Sequence, residues 1–245
     1  MIDVDRVQKG RSRFYQPRGT TLLLPSVTTV LGIIDKPALV GSASRTTAES
    51  IRTNLTPMVG KVLTNEMLQE HVHVSKRYPS KVKADAGDFG TRMHEAIEQI
   101  LNGREPTIAP DIAQAVDSFR LWWESVDLEI KFTELHLASI KHGYGGGTDV
   151  VAMNRKTLTP VICDWKSSNG IWDEMALQVS AYYHAYWEMT GDQPESAWIV
   201  RLGKDRPEFE ARKVEDIDGA FKAFLAALEL WRRMKDVDQV WGSVI

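Results

Sequence analysis

The apolar period changes from about 3.6 residues to about 2 after Ser125, and that switch limits this chain more than any other feature. Upstream, Phe89, Met93, Ala96, Ile97 and Ile100 form one helical stripe closed by Gly103, and a second helix is expected over residues 111–125. Downstream, strands are expected near residues 131–140, 147–153 and 160–166, with turns at Gly143–Gly147 and Asn154–Thr159. A long helix over residues 172–189 ends at Gly191 and Pro194; strands near 196–202 and 208–214 and a helix near 216–235 complete the pattern. This order reads as one mixed α/β domain with a mixed central sheet flanked by helices.

The first third has a different character. Residues 1–83 hold 13 Lys or Arg against 6 acids, a net of +7, whereas the remainder is −10, so a near-neutral total of −3 conceals two parts of opposite sign. That division suits a chain that grips a polyanion with one region and holds divalent cations with the other. We expect residues 1–83 to be a basic, mainly helical N-terminal extension, and residues 84–245 to be the core. Residues 1–24 read as an ordered or tethered basic arm carrying Arg6, Lys9, Arg11, Arg13 and Arg18, and Asp3 and Asp5 argue against a transit peptide. Pro25 and Ser26 start a helix bearing Val27, Val30, Leu31 and Ile34, which Pro37 stops; more helix is expected through 42–70. The charged stretch His71–Lys83 reads as an exposed, mobile connection.

The single cysteine, Cys163, excludes an internal disulfide, a Cys-based zinc site and an iron–sulfur cluster, which needs about four thiolates. No apolar run approaches the roughly 20 residues that span a bilayer, and no hydrophobic signal core opens the chain. A cytoplasmic location and no membrane partner are therefore expected.

Chemistry concentrates in the segment Val161-Ile162-Cys163-Asp164-Trp165-Lys166. Side chains alternate across a strand, so Asp164 and Lys166 share one face while Val161, Cys163 and Trp165 share the other. A carboxylate and an ammonium on an otherwise buried strand are costly to desolvate unless they pair or meet a ligand. The preceding strand carries Asp149, and a hairpin between the two strands brings Asp149 near Asp164. Two carboxylates forced together repel unless a divalent cation lies between them, and a site with few oxygen ligands suits Mg²⁺ or Mn²⁺. Those ions take their remaining coordination from phosphates, which points to phosphodiester hydrolysis, with Lys166 holding the attacking water and stabilising the developing charge. A plain salt bridge at a strand end explains Asp-X-Lys equally well when the pattern stands alone.

Other residues give it company. His94 lies four residues after Gly90 on one helical face, and a neutral imidazole is a ligand for sites that accept Mn²⁺. Gln178 and Tyr182 are four apart within the stripe Met175, Val179, Tyr186 and Met189, where a glutamine needs partners. From there Gln178 can meet a water or a nucleotide, and Tyr182 a phosphate or a base. Glu134, in the first strand, is either a third acid or a paired surface residue. His94-Glu95-Ala96-Ile97-Glu98 lacks the second histidine of a zinc-protease helix, and Gly143–Gly147 reads as a tight hairpin. Trp122 and Trp123 read as core and rim.

Taken in order, Gly90-Thr-Arg-Met-His94, Gly147-Thr-Asp149, Asp164-Trp-Lys166-Ser167 and Gln178-Val-Ser-Ala-Tyr182 resemble the RecB-like branch of the PD-(D/E)XK nuclease superfamily over roughly residues 88–215. The segment Pro25-Ser-Val-Thr-Thr-Val-Leu31 is similar to phage and mitochondrial-maintenance exonucleases of that branch. The resemblance implies a restriction-endonuclease-like core with a helical N-terminal extension. It implies a Mg²⁺- or Mn²⁺-dependent deoxyribonuclease without an iron–sulfur cluster, most consistent with an exonuclease acting on DNA ends in phage or bacterial recombination, repair or processing. By resemblance, Asp149, Asp164 and Lys166 are catalytic, while His94, Asp149, Asp164 and the Trp165 carbonyl hold the metal. Gln178, Tyr182 and Ser167 would contact DNA. Thr148 stands where the superfamily's proline would be. DNA is the implied partner, with a single-strand-binding or annealing protein as a further candidate, in the cytoplasm of a bacterial or phage-infected cell. A non-catalytic DNA-binding or recombination subunit that keeps the fold is the other reading, and neither an RNA preference nor an oligomeric state is decided by these residues.

Overall fold

The computed structural model describes residues 2–10, 12–34 and 37–235. By contacts the chain divides into two units, one formed by Met1–Ile34 with Arg92–Ile245 and the other by Asp35–Thr91. That division departs from the expected boundary after residue 83. The first residues are not an arm but a small antiparallel sheet of β1 (Val4–Lys9), β2 (Ser12–Pro17) and β3 (Leu24–Pro25), in the order β1-β2-β3. Tyr15 anchors it: the ring is buried and meets His136 edge-on at 5.4 Å. The Val4 carbonyl accepts a hydrogen bond from His136 Nδ1 at 3.0 Å. Helix α1 (Val27–Leu31) follows as expected, with the Ser26 hydroxyl accepting from the Thr29 amide and Val27, Val30 and Leu31 buried.

The central sheet has the order β4-β5-β6-β7-β8, built from Leu128–Ser139, Tyr144–Asn154, Pro160–Lys166, Ser196–Leu202 and Phe209–Lys213. Pairing is antiparallel except between β6 and β7. The parallel pair needs a crossover, which helix α5 (Asp173–Thr190) supplies. Its C-terminus is closed by Gly191 in the left-handed conformation at φ 78°, where a side chain would be strained. One side of the sheet buries Leu137, Val151, Ile162 and Ile199 in a cluster with Val179, Ala181 and Tyr186 of α5 and Phe224 and Leu228 of α6 (Ile217–Lys235). On the opposite face, Trp165 packs edge-on against Phe119 (5.3 Å) and Trp122 (5.1 Å) of α4 (Ala113–Ser125), which makes Trp122 core, as expected.

The glycine run is strand rather than turn. Residues 140–143 make the connection, and Gly145–Gly147 belong to β5. A Cβ on Gly145 would collide with Tyr15 and one on Gly146 with Tyr182, so the missing side chains admit two tyrosines against the backbone.

The second unit pairs helix α2 (Pro37–Leu55) with the N-terminal part of α3 (Asn65–Leu101), the latter continuing into the first unit from Arg92. The expected mobile connection at His71–Lys83 is wholly helical despite Pro79. Its stripe is short and polar: buried Ser75 receives a hydrogen bond from the Ser50 hydroxyl at 3.1 Å, so the contact between helices is made by small residues that hydropathy does not register.

Candidate metal centre

The β5–β6 ladder stops at Val150 paired with Cys163, and the site lies where it stops. Beyond that pair, side chains replace the backbone partners that β5 no longer provides. The Thr148 hydroxyl donates to the Cys163 carbonyl at 3.0 Å, and the Asp149 carboxylate accepts the Trp165 amide through Oδ2. Two polar side chains therefore satisfy buried backbone groups while leaving a gap between the strands. Within one strand residue the N–H and C=O point to the same side, so the Trp165 carbonyl faces the gap with Asp149.

Alternation puts Asp164 on the α5 face beside buried Ile162, and Gln178 Nε2 lies 3.4 Å from Asp164 Oδ1. The Lys166 ammonium is in direct contact with Asp164 Oδ2. That oxygen has no hydrogen bond of regular geometry, although Asp164 is 3% exposed. From helix α3, His94 donates through Nδ1 to Asp149 Oδ1 at 2.9 Å. The register pairs Thr133 with Val150 and Leu135 with Thr148, which sets Glu134 opposite Asp149. Glu134 has a left-handed backbone at φ 46°, and its carboxylate comes within 4.8 Å of ligand atoms of both His94 and Asp149.

Charge at this point is finely divided. Burial opposes ionisation of Asp149, yet His94, Lys166 and the Trp165 amide outweigh it and hold its pKa below the usual carboxylate range. Asp164 is raised to about 6, by burial and by Asp149, against the pull of Lys166. Glu134 is raised to about 7 by burial and by Asp149. For His94 and Lys166 burial disfavours the cation, but the acids prevail: His94 rises to about 9 beside Asp149, and Lys166 is raised beside Asp164 and Asp149. Two positive side chains thus compensate three crowded acids. Groups pushed apart in pKa by their surroundings are a feature of functional sites and also of structural ion-pair networks.

The expected residues meet unevenly. His94 and the Trp165 amide meet Asp149 directly, Asp164 pairs with Lys166 on the same sheet face, and the ligand atoms that lie within 4.8 Å of one another among the described residues are those of His94, Glu134 and Asp149, without Asp164. Gln178 joins them through Asp164 and also donates to the Tyr182 hydroxyl at 2.9 Å. Tyr182 itself is 3% exposed with its ring against Gly146, so it positions Gln178 and offers no open face to a base. The helical stripe that carries Tyr182 is core at that position, which the polar hydroxyl disguises in sequence. Ser167 is half-buried just past the end of β6. Glu134 is the residue that sequence left undecided; it enters through a left-handed backbone turn within a strand, which no residue pattern announces.

The donor set fits a hard divalent ion. It offers two carboxylates and one imidazole, those of Glu134, Asp149 and His94, with the Trp165 backbone beside Asp149. No helix among the described residues is long and apolar enough to cross a membrane. No family model and no curated protein matches the chain. A solved structure described as the crystal structure of SSO0001 aligns with a TM-score of 0.36 and 16% identity over 75% of this chain and 83% of its own, too loosely to carry an argument.

Proposed function

We propose that the chain is a Mg²⁺- or Mn²⁺-dependent deoxyribonuclease of the PD-(D/E)XK type, RecB-like and without an iron–sulfur cluster, that removes nucleotides from DNA ends. The observation that carries this reading is the convergence of Asp149, Asp164 and Lys166 where the β5–β6 ladder gives way. A structural ion pair needs neither the neighbouring second acid nor the gap, and burying such a group without a ligand costs stability.

Asp149, Asp164, His94 and the Trp165 carbonyl would hold the cation, with Glu134 within reach of the same position. When bound, the ion supplies Lewis-acid activation of water and neutralises phosphate charge. Lys166, kept protonated by its acids, donates hydrogen bonds to the attacking water or to a phosphate oxygen as negative charge grows. Gln178, steadied by the Tyr182 hydroxyl, orients Asp164 through its amide nitrogen. In the hydrolysis the water oxygen bonds to phosphorus as the P–O3′ bond breaks; the water gives up a proton and the 3′ oxygen gains one, leaving a 5′ phosphate. A cellular role in phage or bacterial DNA recombination, repair or processing, in the cytoplasm and beside a single-strand-binding or annealing protein, follows from this reading.

The test is incubation of linear and closed circular DNA with the chain and Mn²⁺. Loss of linear DNA while circles persist is the expected result. Degradation of neither, or degradation that continues in EDTA, would refute the proposal.

A further inference from the structure

The helical unit contains a cavity of about 450 Å³ between α2 and α3, well inside the size range of ligand sites. Its α3 wall is formed by His73, Arg77 and Lys81 at intervals of four residues, next to Val74 and Tyr78. The α2 wall carries Glu49, Ser50, Thr53 and Asn54. Positions four apart on a helix lie on one face about 6 Å from each other, so the three basic side chains make a rail along the cleft. Arg77 and Lys81 are exposed, and no ion pair with either occurs among the described residues. The one acid of the wall, Glu49, is already engaged by Arg52 at 3.6 Å.

Between the rail and α2 lies a polar floor. Ser50 is buried and tied to Ser75, while Asn54 turns its amide nitrogen toward both at 3.4 Å. Among the described residues no donor meets the Asn54 amide oxygen, which leaves an acceptor within the cleft. Arg77 and Lys81 in line with His73, a partly exposed tyrosine ring next to an aliphatic neighbour and an open amide edge supply the three contacts a nucleotide asks for: phosphate, base face and base edge.

We propose that this cleft binds single-stranded DNA, with phosphates along His73, Arg77 and Lys81 and a base against Tyr78. The proposal rests on the reading of the chain as a nuclease in taking DNA as the polyanion, and it adds a binding site that belongs to the helical unit alone.

The experiment uses the full chain in EDTA and a labelled single-stranded oligonucleotide of about 15 nucleotides, a length matched to known single-strand sites. Anisotropy is followed over a salt series for wild type and for the Arg77→Gln/Lys81→Gln variant, whose exposed positions leave the fold intact by circular dichroism. The expected result is a roughly tenfold loss of affinity, with a salt slope smaller by about 1.4 for two lost phosphate contacts. Tyr78→Leu should cost about tenfold more weakly salt-dependent binding. Equal affinity and slope in wild type and variant would overturn the proposal, as would no binding by wild type. Polyglutamate competing as well as an oligonucleotide of equal charge would also overturn it, because the cleft would then read charge alone. Cation-dependent hydrolysis of thymidine 5′-p-nitrophenyl phosphate, which carries a single phosphodiester, separates the two readings. If that ester is untouched by wild type while the variant still loses oligonucleotide binding, the nuclease reading fails and the cleft stands.

Discussion

Strand β6 buries Trp165 against the aromatic rings of α4 on one face and holds Asp164 and Lys166 against α5 on the other. Trp165 and Asp164 are buried and Lys166 is half-buried, yet different forces account for the two faces. On the first, a large apolar side chain leaves water and gains dense packing, which stabilises the fold. On the second, two charges lose their hydration and recover it through each other, through Asp149 and His94 and through Gln178. An apolar pair of the same shape would serve stability as well or better. The apolar face is thus the one that holds the sheet together, and the charged face contributes little to that.

That contrast can be broken in several ways. The largest effect is expected at Asp149→Ala: loss of both cation ligation and the Trp165 amide contact should lower DNA cleavage by about 10⁴-fold while far-ultraviolet circular dichroism still reports a folded chain. Cleavage within tenfold of wild type would remove Asp149 from the site. On the apolar face, Trp165→Ala should cost about 3–5 kcal/mol in denaturant unfolding. A cost below about 1 kcal/mol would mean that the α4 packing carries little of the stability. The double change Asp164→Leu with Lys166→Met should leave stability unchanged or raise it by about 1–2 kcal/mol while abolishing activity, since both buried charges go together. Marked destabilisation in that variant would recast the pair as structural. A smaller loss, about tenfold in rate, is expected for Gln178→Ala, which removes an orienting contact but no ligand; unchanged rates would confine the helix to packing.

The mildest effect concerns pH in the absence of metal. Burial resists the His94 cation, but Asp149 raises its pKa from the ordinary 6.5 to about 9, so the folded chain holds this proton more tightly than the unfolded one. Its contribution is therefore fully present below pH 6.5 and is lost as pH rises through about 9. In EDTA, His94→Gln should flatten that decline between the two values. An unchanged profile would mean that another group carries it.

The sheet was legible because its period is plain: the five strands and the helices from Ala113 onward fall close to the spans that alternation predicts. Hydropathy gave no warning of β1 and β2, whose exposed residues Asp5, Arg6, Gln8, Lys9 and Arg13 are all polar and in which Tyr15 lies against glycines of β5. The same blindness turned the helical His71–Lys83 into an expected loop, since its buried contact is Ser50 with Ser75. At the site, strand alternation placed Asp164 with Lys166, and the hairpin placed Asp149 near them. The entry of Glu134 depends on a backbone angle of 46° and could not be read from residue types. Nor could the side-chain substitution for the broken ladder at Thr148 and Asp149, which exists only because two strands part at that point.

The central claim is that the gap beyond Val150 and Cys163 seats a hard cation. Crystals soaked in Mn²⁺ and measured at the manganese edge test it most directly. An anomalous peak is expected about 2.0–2.3 Å from carboxylate oxygens of Asp149 and Asp164, lost in Asp149→Ala crystals. A map with no peak there at saturating Mn²⁺, or with Asp164 still bound only to Lys166 while the ion lies elsewhere, would contradict it.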